Sequence, residues 1–157
     1  MEIKVGTEHS AMDIAEYVVD RRYRHGKPVS NLQLQEILYF LQVIHAVATG
    51  KLLFADPFEA WPYGPVVHDV YVRFSDDGGY PIKRRFDTEM DDSIRPFLDA
   101  GMDILAEKAP WDLVRISHAE KSPWDTIYNQ KHLHNEIIPN ELIVQCAGEL
   151  PKAEALW

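Results

Sequence analysis

Residues 31–49, NLQLQEILYFLQVIHAVAT, constrain the fold more than any other stretch of the chain. Ser30 followed by Gln33 is an N-cap signal, and Gly50 supplies the stop, so a helix is expected to run from there to about Thr49. Leu34, Ile37, Leu38, Leu41, Ile44, Ala46 and Val47 cover much of its circumference. A surface helix needs a polar face, so one that is apolar nearly all round must be enclosed by its neighbours. The sequence therefore predicts a central helix around which the rest of the chain is built. Its most apolar stretch, Glu36 to Gly50, is interrupted by Gln42 and His45 and is too short and too polar to span a bilayer.

The other elements are read relative to that centre. Ser10 and Asp13 form an acidic variant of the capping box, opening a helix whose stripe is Ile14, Ala15, Val18 and Val19 and whose stop is Gly26. Pro57 and Pro62 keep residues 56–63 out of a helix, and that stretch reads as a short edge strand. Gly64-Pro65 reads as a helix start, with proline where a missing donor costs nothing, followed by Val67, Val70, Tyr71 and Phe74 at helical spacing. After the turn at Asp77-Gly78-Gly79, Tyr80 to Phe86 is expected to pair as a second strand. Helices are expected from Asp91 to Lys108, from Pro110 to Ser117, from Ser122-Pro123 to about Asn129, and from Pro139 or Asn140 through Leu142, Ile143 and Cys146. The fold class is thus mainly α, at most α+β: one compact domain of six or seven helices with a small two- or three-stranded sheet.

The length of 157 residues suits one domain, with its core expected at about 11–147 and a tail from Gly148 expected to fray. The single cysteine allows no internal disulfide, and MEIKVGTEHS has no apolar signal region, so a cytoplasmic protein with no membrane segment is expected. The net charge of -9 argues against nucleic acid, since phosphate backbones are bound by clustered Lys and Arg. Lys83-Arg84-Arg85 is the one compact basic run, and acidic residues follow it at once. A basic protein partner would instead be attracted at long range.

Candidate chemistry is sparse. His132, His134 and Glu136 alternate, so an extended segment would point all three to one side, as a metal-dependent hydrolase would need. Their spacing matches no metal signature, and the segment lies between helices where a polar loop is expected. Cys146, beside Leu142 and Ile143, reads as a small hydrophobe rather than a nucleophile. Ser117-His118 has the residue types of a serine–base pair, yet neighbours on a helix seldom face each other, and His118 is expected to cap the last carbonyls of its helix. His68-Asp69 is weaker as a site, and Asp91-Asp92 suits a helix start. No phosphate loop or dinucleotide fingerprint occurs. No enzyme and no cofactor are expected.

The aromatics remain: Trp61, Tyr63, Tyr71, Trp111 and Trp124, several of them beside rigid proline turns. Such side chains pack at a core edge or anchor an interface. The Leu34-Gln35 helix with Tyr39, the corner Trp61…Tyr63-Gly64-Pro65-Val66 with Val70-Tyr71, the Ser117-His118 step and Pro123-Trp124 together resemble the SocA-like antitoxin, or Panacea, domain of bacterial toxin–antitoxin systems. The resemblance spans about Ala11 to Cys146. It implies an α-rich domain that neutralises a cognate toxin, encoded by an adjacent gene, through direct protein–protein contact, and it carries no catalytic residue. Trp61, Tyr63 and Tyr71 are the expected toxin-facing residues, and the other motif residues read as architecture. An alternative within the same class is an adaptor that hands the toxin to a cellular protease, with the tail KAEALW as its handle.

Overall fold

A computed structural model describes residues 3–147 of the chain. Its helices are α1 (Ala11–Arg24), α2 (Asn31–Thr49), α3 (His68–Arg73), α4 (Arg95–Glu107), α5 (Pro110–Ser117), α6 (Pro123–Asp125) and α7 (Asn140–Ala147). Three short strands, β1 (Phe58–Trp61), β2 (Gly64–Val66) and β3 (Ile137–Ile138), make one antiparallel sheet in the order β2-β1-β3. The tail expected to fray, residues 148–157, lies outside the described residues. Among those residues, no helix is long and apolar enough to cross a membrane.

The predicted centre is where the others meet. Helix α2 packs against α1, α3, α4, α5, α7 and β2, and its Leu34, Ile37, Leu38 and Leu41 are wholly buried. Both predicted caps form. Ser10 Oγ accepts from Asp13 N at 3.1 Å while Asp13 accepts from Ser10 N at 3.1 Å, closing the box at α1. Ser30 Oγ accepts from Gln33 N at 3.2 Å, and Gly50 ends α2 at φ 72°, a left-handed turn that glycine makes without strain. Gln42 lies inside this core with no exposure. Its Oε1 accepts from Leu53 N at 2.6 Å and its Nε2 donates to Phe54 O at 2.9 Å, so it pairs backbone groups that would otherwise be stranded in a dry interior.

The sheet differs from the sequence-based expectation in three ways. β1 is its central strand, not an edge; Pro57 and Pro62 flank it, and Phe58 and Ala60 alternate inward while Glu59 and Trp61 face outward. Gly64-Pro65 does not start a helix but forms β2, paired Ala60 to Pro65 and Trp61 to Gly64. Pro65 is tolerated because β2 is an edge, where a strand can do without a donor, and α3 begins only at His68. Residues 80–86 form no strand; Ile82 N donates to Val29 O at 2.8 Å, but the segment is otherwise irregular. The third strand is the two-residue β3, whose Ile138 is buried opposite Phe58.

Helices α5, α6 and α7 follow their predicted starts, whereas α4 begins at Arg95 after a turn and not at Asp91. Pro96 falls in the first turn of α4, Pro110 opens α5, and Ser122 Oγ caps α6 by accepting from Asp125 N at 3.1 Å. Beyond α6 the chain continues as a π-turn over residues 126–130, a geometry that sequence periodicity does not distinguish from an ordinary helix end.

Candidate protein-binding surface at the hairpin

The β1–β2 hairpin and α3 bring two of the predicted aromatic residues, Trp61 and Tyr71, together. Trp61, on the outer side of β1, has its ring centroid 5.0 Å from Tyr71 at an interplanar angle of 55° and 6.2 Å from His68. Its Nε1 donates to Glu59 Oε1 at 2.9 Å. Tyr63, in the turn between the strands, is 58% exposed, and Ile137 on β3, opposite Glu59, is 55% exposed. Rings of this kind, held in place before contact, lose little entropy when a partner covers them.

The first turns of α2 hold α3 in position. The buried Gln35 Oε1 accepts from Val67 N at 2.9 Å, its Nε2 donates to Asn31 Oδ1 at 3.0 Å, and Asn31 Nδ2 donates to Tyr71 O at 3.0 Å. This relay explains the polar residues at the start of an otherwise apolar helix: they pair the backbone at both ends of the segment carrying Val67, His68 and Tyr71. Tyr39, one turn on, contributes packing, meeting Phe58 edge-on at 5.4 Å.

The hairpin is gripped from beneath by the two other motif steps. Trp124, only 5% exposed, donates from Nε1 to Trp61 O at 2.7 Å, and the His118 ring turns towards the hairpin, its Nε2 3.3 Å from where a Cβ on Gly64 would stand. These two rings stack at 3.7 Å and 9°. The stack continues through Tyr128, 4.8 Å from Trp124, to His134, 4.1 Å from Tyr128. Burial pushes the Asp125 carboxyl up, but donors from Asn129, Lys121 N and Gln130 outweigh it and hold the group below its ordinary value. That carboxylate fixes the turn from which Trp124 projects.

Several sequence readings change at this point. The His118 side chain does not cap α5; its backbone N–H does so, donating to Val114 O at 2.9 Å, and the ring turns towards the hairpin. The Ser117 and His118 side chains, although adjacent, approach the same glycine, while Ser117 is 1% exposed. His132, His134 and Glu136 do not line up on an extended segment. His132 and Asn135 are in left-handed conformations, φ 55° and 62°, and His134 is spent on the ring stack. Among the described residues, no group of three His, Cys, Asp or Glu is placed to hold a metal. Cys146 is half-buried, its Sγ 3.9 Å from Lys121 O. Trp111 stands apart from the core on the first turn of α5, 74% exposed.

Leu34, Tyr39, Val66, Pro123 and Trp124 are buried as architecture, and Gly64, Pro65, Gln35, Ser117 and His118 converge on the hairpin. The residue that sequence reasoning missed is Glu36. It sits 1% exposed beneath Gly64, its carboxyl pushed up to about 8 by burial against a weaker opposing hydrogen bond from Ser117. The signal was available: an acid inside a helix that is apolar on every side has nowhere solvated to go.

The family described as Antitoxin SocA-like, Panacea domain, matches residues 34–125, which take in most of α2, the hairpin and α3 to α6. Antitoxin SocA of Caulobacter vibrioides (strain NA1000 / CB15N) is 32% identical over 132 residues, covering 76% of this chain and 70% of that protein. No solved structure matches the chain.

Proposed function

The chain belongs to the SocA-like, Panacea-domain antitoxin family, and from that premise we propose that it neutralises a separately encoded toxin by binding it through the hairpin surface of Trp61, Tyr63 and Tyr71. One observation carries the choice of surface. Trp61 and Tyr71 meet at 5.0 Å on the outer side of the sheet, beside an exposed Tyr63, while the backbone of Trp61 is held from below by Trp124. Aromatic anchors with a rigid footing are what an interface core needs, and a masking complex of ordinary size buries about 1,600 Å². The acidic character of the chain favours a basic toxin surface and fast association.

The test is co-expression and co-purification with the product of the neighbouring gene. The expected result is rescue from toxicity and a stable complex. Trp61→Ala and Tyr71→Ala are each expected to weaken that complex by about thirtyfold, the size of an interface hot spot. Absence of both rescue and complex would refute the reading. Toxin half-life with and without this chain separates masking from delivery to a protease: masking leaves it unchanged or longer, and delivery shortens it.

A further inference from the structure

Under the hairpin lies a buried polar cluster that the exposed rings do not use. Glu36 Oε1 is 3.2 Å from Ser117 Oγ, and Ser117 Oγ has a second acceptor, Val114 O, at 3.1 Å. Glu36 Oε2 and His118 Nε2 are both buried without a hydrogen-bond partner. All three side chains close on one point. A Cβ added to Gly64 would stand 2.6 Å from Glu36 Oε1, 3.3 Å from His118 Nε2 and 3.5 Å from Ser117 Oγ. Gly64, at φ 127°, is therefore the backbone lid over the cluster, in a conformation and a space that only glycine fills.

This site suits a carboxylic acid and not a carboxylate. Protonated, Glu36 can donate its O–H to Ser117 Oγ, leaving the Ser117 proton for Val114 O. Ionised, it can only accept, from a hydroxyl with one proton and two acceptors in reach, and the rest of its charge has no partner. Other titratable groups do not compensate. Tyr39, on the next turn of α2, has its hydroxyl raised by burial and then by Glu36 itself, with a smaller contribution from Cys146 of α7, and stays neutral. His118 is held below its ordinary value by burial, against a smaller opposing effect of the Tyr63 backbone, and is also neutral in the alkaline range. The rise at Glu36 comes from burial, with the Ser117 hydrogen bond opposing it.

We propose that Glu36, Ser117 and His118 are positioning residues for partner binding: a latch under Gly64 that holds the hairpin tip in place only while Glu36 keeps its proton. When the proton leaves, lifting Gly64 off the cluster gives water a way to the carboxylate. Gly64 is the β2 partner of Trp61 and follows Tyr63 directly, so the movement carries both rings out of register with a bound surface. This assignment rests on the reading that the hairpin faces the toxin.

Two measurements test it. The first is the Kd for the neighbouring gene's protein between pH 6.5 and 9.5, for the natural chain and Glu36→Gln. With Glu36 titrating near 8, the natural chain should weaken about tenfold by pH 9, the factor by which the competent fraction falls, while Glu36→Gln stays within about twofold. Coincident pH profiles overturn the latch. The second needs no partner: amide exchange of residues 61–67 in the isolated chain, corrected for intrinsic pH dependence. It should rise about tenfold from pH 7 to 9 in the natural chain and not in the variant. Equal rises overturn the latch whatever the partner does. A normal latch signature with no complex at any pH would sink only the toxin-binding reading. Glu36→Met, neutral and of similar length, repeats both measurements should the Gln variant fail to fold.

Discussion

Replacing Glu36 by Gln should stabilise this protein at neutral and alkaline pH, although it alters one of its most deeply buried side chains. The carboxyl ionises near 4.5 in the unfolded chain and near 8 in the folded one, so the folded state binds the proton more tightly. Its contribution is complete below pH 4.5, declines by about 1.4 kcal/mol per pH unit above it, and is exhausted once pH passes 8. The full swing is about 5 kcal/mol, of which about 3 kcal/mol is already lost at pH 7, a large part of an ordinary domain's stability. Gln keeps the shape, has no charge to bury and retains a donor for Ser117 Oγ, 3.2 Å from the present carboxyl oxygen. Urea unfolding followed by tryptophan fluorescence at pH 5, 7 and 9 measures the effect. The two proteins should be nearly equal at pH 5, and the variant ahead by about 3 kcal/mol at pH 7, or roughly 6–12 °C in Tm. The gap should widen by a further 1–2 kcal/mol or so at pH 9. A difference that is constant across the three pH values, or a variant less stable at pH 7, would refute the account of Glu36 as a buried neutral acid.

Four further outcomes follow from the same geometry. Gly64→Ala should cost about 2 kcal/mol or more in thermal unfolding, from backbone strain at φ 127° and the clash with Glu36. Gly26→Ala, at φ 74° with nothing within 4 Å, should cost about 1 kcal/mol, from strain alone. Trp124→Phe should lose about 1–2 kcal/mol with the bond to Trp61 O and keep the ring stack, whereas Trp124→Ala should lose about 3–5 kcal/mol, both read from urea midpoints. Asp20 behaves oppositely to Glu36: burial raises its carboxyl, but Phe86 N, Arg85 and Arg24 outweigh burial and hold it below 3.8. The stability it contributes is present above that value and lost as pH falls through the lowered one, so Asp20→Asn should flatten the acid limb of the stability–pH curve.

What could be read from the chain alone was what depends on neighbours in sequence. The caps Ser10 and Ser30, the stop at Gly50, the proline starts of α5 and α6 and the all-round apolar surface of α2 are local patterns with a direct steric or hydrogen-bonding cause, and each formed as expected. The aromatic set at 61–71 was also legible as a set, since rigid turns concentrate side chains wherever they fold. Tertiary structure decided the matters in which two remote segments compete for the same groups. Gly64-Pro65 has a good helix-start pattern, yet the backbone of β1 offers it a ladder and Gln35 claims Val67 N, 32 positions away. His118 had carbonyls of its own helix to cap, but its ring instead lies on the face of Trp124, close under Gly64. Glu36 was visible as an anomaly, but only the closure of Gly64 over it decided that its proton would stay. Charge state, strand pairing and ring stacking all depend on which groups desolvate one another, and no local pattern encodes that.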